Sequence, residues 1–423
     1  MTDLDIYLHR TLRSGRISEI LEAAEAFYHR RAADLSPETK AALLCSAMCI
    51  TRQDLDAVIS GHPEVIRTVK GHAFEVVFDA MMAANGVECI EVGGDTDVDR
   101  IINGHTLQLK TPYVKGCAPG IVSYKTHKTH GAKSLSESVD YYHTVQTFAD
   151  YLVGLVSYRP FTVLIVPKAA LPRVPSHPHH IQSPLWLPTD DPATVDRYDA
   201  LGVSRRMHFP GDTLSPIEGE CLPTSAALFR LRSDYILRAI FIGDNFRIWD
   251  MNMRGFLREH VLRQYLTAAG IRAYPSGAAG KARADKSDLA LKAGDGGYVR
   301  FQVKGLTWSK TALRGDKTTV DCETQLSRGH VNDHPTQSRL YHETDFDALI
   351  VAVDPAYTNT LSHECFDRPD YQWRFYCLPM SMLRRHKTYT HRIASHQKLN
   401  WRDLQAYRVD SAWLAQWLPE LNT

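Results

Sequence analysis

Apolar positions fall at helical spacing through the start of the chain: Ile17, Ile20, Leu21 and Ala24, then Leu43, Leu44 and Met48, with no strand-like alternation. Residues 1–68 are therefore predicted to form a helical domain. The run from Pro37 to Ile50, opened by Ser36 as an N-cap, is its clearest helix. From residue 71 the pattern becomes a helix followed by short apolar strands bounded by Gly and charge, and it starts again near 255.

The two starts superimpose. GHAFEVVFDAMMAANGV lies over GFLREHVLRQYLTAAGI without a gap, setting Gly71 on Gly255, Glu75 on Glu259 and Gly86 on Gly270, with Gly as C-cap both times. DRIINGHTLQLK lies over DLALKAGDGGYVRFQVK, setting Asp99 on Asp288, Gln108 on Gln302 and Lys110 on Lys304 across hairpin-like spacings. DYLVGLV at Asp150 then matches DALIVAV at Asp347, and FTVLIVPKAALPR at Phe161 matches FYCLPMSMLRR at Phe375 after an insertion. Matches in one order predict a tandem duplication. The expected division is a helical domain (1–68), a first core (69–170), a connector (171–250), a second core (251–388) and a basic, helical extension (389–423). The connector is Pro-rich and polar early, then strand-like in FRLRSDYILRAIFIGDNFRIW.

Composition narrows the class. With 423 residues, 44% hydrophobic and 23% charged, the chain reads as soluble globular protein. It shows neither a signal core at its start nor an apolar run of membrane-spanning length, so a cytoplasmic location without a membrane partner is expected. Eight cysteines without a CxxC pair, Cys45 and Cys49 being the closest, read as reduced packing residues. A net charge of +1 removes any argument from overall basicity. Two local windows lack acids. Arg100 to Ser136 holds Lys110, Lys115, Lys125, Lys128 and Lys133, and Trp373 to Arg402 holds Arg374, Arg384, Arg385, Lys387, Arg392 and Lys398; both are candidate phosphate-facing strips. His177, His179 and His180 match no usual ligand spacing and read as solvated loop histidines.

The chemistry lies in the repeated set. Strand alternation puts Gln108 and Lys110 on one face with Leu109 turned to the core, and Gln302 and Lys304 repeat this around Val303. Phosphodiester hydrolysis needs a hard cation and oxygen ligands to hold it. Asp99 and Asp288 are the direct candidates, the Gln108 and Gln302 carbonyl oxygens complete part of the shell, and Glu75 and Glu259 act from the helix through water. Lys110 and Lys304 would place the attacking water and stabilise developing charge.

DRIINGHTLQLK and SDLAL…YVRFQVKG resemble the PD-(D/E)xK nuclease superfamily in an Asp…Gln-x-Lys variant, similar to that of Mrr-like and several restriction endonucleases. The resemblance covers roughly residues 70–170 and 255–385. It implies an α/β fold, two restriction-endonuclease-like cores each with a four-stranded mixed sheet flanked by helices. It also implies dependence on Mg²⁺, with Mn²⁺ substituting, and DNA as the usual substrate. Gln stands where an acid is more common, the proline is missing at both hairpin acids, and Asp97 competes with Asp99 for the ligand role.

Two complete sets suggest a monomeric restriction-type endonuclease in which each site cuts one strand of double-stranded DNA, with a DNA methyltransferase as a genetic partner. Bases would be read by the N-terminal helices, the 171–250 segment or the insertion from Thr311 to Glu343, while Trp308 either stacks on a base or packs in the core. The alternatives are one active and one recognition-only core acting on modified, branched or RNA substrates in repair or defence, and a non-catalytic nucleic-acid-binding scaffold.

Overall fold

The computed structural model describes residues 36–48, 50–92, 98–113, 117–126, 143–204, 207, 214–241, 245–275, 287–292, 297–307, 319–325, 339–353 and 373–414. Asp97, Lys115, Lys128, Lys133, Trp308 and the expected helix through Ile17–Ala24 lie outside the described residues. The chain divides into two compact units, residues 35–41 with 59–250 and residues 1–34 with 42–58 and 251–423. The class is mixed α/β, with open sheets.

In chain order, helices α1 (Pro37–Met48), α2 (Arg52–Gly61) and α3 (Pro63–Ala84) come first. Ser36 Oγ accepts from Thr39 N–H at 3.2 Å, so the expected N-cap is made. Strands β1 (Ile90–Glu91), β2 (Arg100–Ile102), β3 (His105–Lys110), β4 (Ile121–Tyr124), β5 (Tyr151–Tyr158), β6 (Phe161–Pro167), β7 (Arg173–Val174), β8 (His177–Ile181) and β9 (Leu185–Pro188) follow. After them come α4 (Pro223–Phe229), α5 (Ser233–Phe241) and α6 (Asn245–Ala268). The second set of strands is β10 (Ala273–Pro275), β11 (Leu289–Lys292), β12 (Tyr298–Thr307), β13 (Thr319–Glu323), β14 (Ala348–Val353), β15 (Arg374–Pro379) and β16 (His396–Asn400), with the short helix α7 (Trp401–Leu404) behind them. Among the described residues no helix is long and apolar enough to cross a membrane.

The first sheet runs β1-β2-β3-β5-β6 and is antiparallel except where β3 meets β5. The second runs β10-β11-β12-β14-β15 with β12 parallel to β14, and the long β12 also pairs β13, which pairs β16. Each main path therefore has one strand more than the resemblance implied, the addition being the short edge strand β1 or β10. Leu107 and Leu109 pack with Phe74 and Phe78 of α3, and Phe301 and Val303 with Leu262 and Leu266 of α6. Gly86 and Gly270 adopt φ of 62° and 80°, a left-handed geometry that only glycine takes without strain. There they let Val87 and Ile271 N–H close on the Met82 and Leu266 carbonyls and end both helices alike.

Bonds to the main chain repeat within the sequence match and carry the duplication beyond it. Asp150 Oδ2 accepts from Thr106 N–H and Asp347 Oδ2 from Arg300 N–H. Ile181 N–H bonds the His143 carbonyl as Ile393 N–H bonds that of Tyr341, each at 2.9 Å. Gln182 N–H bonds Pro172 O as Ala394 N–H bonds Arg384 O, again at 2.9 Å. Bridges Leu164↔Val195 and Tyr376↔Arg408 close the set. The repeat thus reaches residue 196 in one copy and 409 in the other.

Five expectations change with it. The start of the 171–250 connector is part of a core, with Leu171, Ile181, Leu185 and Leu187 packed against Tyr124 and Leu152. The histidines lie on β8, though His177 and His179 are exposed as expected. The insertion in the second copy contains β13, the counterpart of β4. The ladders equate Pro167 with Pro379, so Phe375 matches Val163 and the Phe161 match was two residues out of register. In the segment 229–249, read as strand, Ser233–Phe241 is a helix and another begins at Asn245: Ser233, Ile236, Leu237 and Ile240 are buried at a spacing of three to four, which wins over the β-branched and aromatic content.

Candidate active site

Each repeat brings a helix glutamate, a hairpin aspartate and the Gln-x-Lys pair into one neighbourhood. Asp99 precedes β2 and its Oδ2 accepts from Leu109 N–H at 2.6 Å; Asp288 precedes β11 and its Oδ2 accepts from Val303 N–H at 2.8 Å. Asp99 N–H also bonds Leu107 O as Asp288 N–H bonds Phe301 O. The aspartates are thus fixed to the strand that bears the glutamine and lysine by the same two bonds.

Gln108 and Gln302 are buried, and in both the Oε1 atom has no hydrogen-bond partner. Leaving a buried carbonyl oxygen unsatisfied costs about 1–3 kcal/mol. The Gln302 amide nitrogen donates to Asp288 Oδ2, a bond Gln108 and Asp99 do not make. Lys304 Nζ stands 5.5 Å from the ring centre of Tyr341, whose phenol burial and then the charges of Asp288, Asp345 and Glu259 push upward.

The electrostatics differ. Burial raises the Asp99 carboxyl above its ordinary value, opposed by the charge of Lys110 and reinforced by that of Glu75. Burial works to raise Glu75 as well, but the bond from His72 and the charges of His72, Arg100 and Lys110 outweigh it and hold the carboxyl below its usual value. Arg100 adds to the effect of His72: its guanidinium bonds both Asp79 oxygens at 2.9 Å, Glu75 Oε2 at 3.3 Å and the Asp99 carbonyl at 2.8 Å. In the second copy burial and the neighbouring Asp288 push Glu259 up to about 8, opposed only in part by Arg263 and Lys304.

Sequence reading passed over Arg100, Asp79, His72 and Tyr341. The first three carried a signal, because Asp79 stands four residues after Glu75 on one helix face and Arg100 adjoins Asp99. Tyr341 reaches its lysine only through the fold.

Among the described residues no group of three His, Cys, Asp or Glu side chains could hold a metal ion. The donors each copy does offer are an aspartate, a glutamate and an unpartnered glutamine carbonyl oxygen. This all-oxygen set fits a hard cation such as Mg²⁺ and does not fit a soft one.

No protein-family model matches the chain, and no curated protein matches it. Among solved structures it is similar to that of a bacterial homing endonuclease, I-Ssp6803I, at 15% identity over 40% of this chain and 92% of that one. The TM-score of 0.23 is too low for that likeness to carry an argument.

Proposed function

We propose that the chain is a Mg²⁺-dependent endonuclease of the PD-(D/E)xK kind, hydrolysing double-stranded DNA in the manner of a restriction enzyme with one phosphodiester-cleaving site in each repeat. The observation that supports it is the buried, unpartnered Oε1 of both Gln108 and Gln302, each on a strand to which an aspartate is bonded. Asp99, Gln108 and Glu75 would hold the cation in one core and Asp288, Gln302 and Glu259 in the other. Mn²⁺ is expected to substitute. When bound, the ion supplies charge neutralisation and a water of lowered pKa.

The chain's own groups do the rest. Lys110 and Lys304 present an ammonium to the negative charge that grows on the phosphoryl oxygens. The bonds from Leu109 and Val303 N–H hold each aspartate in one rotamer. The Tyr341 ring keeps the Lys304 ammonium over an apolar face, where it favours the cation and limits its wandering.

A second reading, with one cleaving and one binding core, is favoured by Arg100, which already satisfies the charge of Glu75 in the first copy. The test is cleavage of supercoiled plasmid by wild type, Lys110→Ala, Lys304→Ala and the double variant, with Mg²⁺ and with EDTA. Two active cores predict linear product from wild type, nicked product from each single variant and neither from the double. Each lost lysine slows its own strand about 10²–10³-fold, as removal of one charge-stabilising group does. Wild-type behaviour of Lys110→Ala would establish the second reading, and cleavage in EDTA would overturn both.

A further inference from the structure

The repeats share a feature outside the catalytic sets. In the first, β7 and β8 form a two-stranded ribbon in which Arg173 pairs with Ile181 and Val174 with His177. In the second, Arg385 bridges Ile393, and His386 N–H bonds Arg392 O at 2.8 Å. Both ribbons are wired to the residue that begins the approach to the parallel strand. Val145 N–H bonds His179 O as Glu343 N–H bonds His391 O. In the second copy the ribbon also reaches Tyr341, whose carbonyl accepts from Ile393 N–H and whose ring lies beneath the Lys304 ammonium. The ribbon is therefore anchored directly beside the catalytic lysine.

Its surface chemistry is one-sided. Residues 371–402 contain no Asp or Glu, nor do residues 151–189 in the first copy. On the second ribbon Arg384 and Lys387 are exposed, and among the described residues their side chains have no hydrogen-bond or ion-pair partner. Arg385 is paired with Glu343 and Arg392 donates to Leu340 O, so those two hold the ribbon in place. The turn is set as well: His386 Nδ1 accepts from both Thr388 and Tyr389 N–H at 3.2 Å, and the His386 and Tyr389 rings lie 5.2 Å apart. The first ribbon exposes His177 and His179 at the matching place, with the His177 and His180 rings 5.8 Å apart.

We propose that these ribbons are duplex-DNA docking elements, the second gripping phosphates through Arg384 and Lys387 so that the backbone is delivered to the Lys304 site. A two-stranded turn has a width that the major groove admits, and exposed, unbonded cations on an acid-free stretch of chain match a polyanion. This inference rests on the endonuclease reading, and binding in EDTA separates the two.

The experiment measures binding of a labelled mixed-sequence duplex to wild type and to the Arg384→Gln/Lys387→Gln double variant across a salt series in EDTA. Neither side chain is bonded, so the variant is expected to melt as wild type does. Loss of two phosphate contacts lowers the slope of log K against log salt by about 1.8, at about 0.9 per contact, with binding weakened. Arg197→Gln, which removes an exposed cation already paired with Asp199, leaves the slope unchanged. An unaltered slope in the double variant, or preference for single-stranded RNA lost in the same variant, overturns the docking assignment. Wild type that binds no nucleic acid overturns it together with the endonuclease reading. Binding without cleavage in Mg²⁺ removes that reading alone.

Discussion

In the first unit the helix glutamate is served from two sides: His72, one turn back on the same helix, bonds Glu75 at 3.3 Å, and Arg100 reaches Glu75 and Asp79 from β2, whereas Phe256 stands at the His72 position of the second unit. In the second, Leu289 fills that strand position, and the cation is Arg263, one helical turn beyond Glu259 and standing where the first unit has Asp79. Arg263 donates to the Glu259 main-chain carbonyl at 3.4 Å and meets its carboxyl only through space. Partners that hydrogen-bond a carboxylate favour its charged form in a low-dielectric setting; a guanidinium that only faces it does not outweigh burial and a second acid. Two cores with one framework therefore shift their equivalent glutamates in opposite directions.

The largest effect is expected where that cation is removed. Arg100→Leu gives the first unit the residue of the second, but leaves Asp79 and Glu75 without their buried partner. Breaking such a pair costs about 3–5 kcal/mol. Calorimetry of the full chain should show one transition falling steeply while the other stays, and an unchanged thermogram would show that Arg100 is not the element distinguishing the units.

A packing exchange gives the next effect. Gly154 stands beside Lys110, and a Cβ there would lie 2.3 Å from Tyr124 Cζ; the equivalent pair in the second unit is Val351 with Cys322. Gly154→Val overpacks this site at a cost of about 1–3 kcal/mol. Adding Tyr124→Cys should recover part of the loss although it removes the bond from Tyr124 Oη to Leu155 O. Strict additivity in denaturant melts would disprove the exchange.

A last contrast is in pH dependence, and its sign differs between units. The folded pKa of Glu259 lies above its unfolded value of 4.5, so apo stability falls as pH rises from 4.5 to about 8. Glu259→Gln in EDTA should therefore gain on wild type in melting temperature across that interval. Glu75 has a lowered folded pKa, so its contribution is present above 4.5 and lost as pH falls through the folded value. Glu75→Gln should be less stable than wild type at pH 7 and approach it in acid. Shifts of the same sign in both variants would show the glutamates to be equivalent after all.

Much of this comparison was readable from residues alone, and the reason is geometric. Helix ends marked by Gly86 and Gly270 and the Gln-x-Lys spacing are side-chain signals, so the α/β class, the paired helices and the central strands followed from them. What was not legible is carried by peptide groups. The bonds that join β8 to the approach at Val145, or Ile181 and Ile393 N–H to the His143 and Tyr341 carbonyls, are made alike by any residue type. HPHHI and YTHRI share little yet occupy one place. The Arg100 network was missed because a strand arginine shows its partners only once a helix is packed across it.

Among the described residues, each core keeps one glutamine oxygen sheltered from solvent and untouched by any donor. Such an atom is a latent reserve: whatever cation or donor reaches it recovers the forfeited interaction and tightens the strand in the same event. Were the proposed cation to bind there, occupancy and endurance would be one property, and the survival of this chain under heat or protease would gauge the divalent-ion content around it.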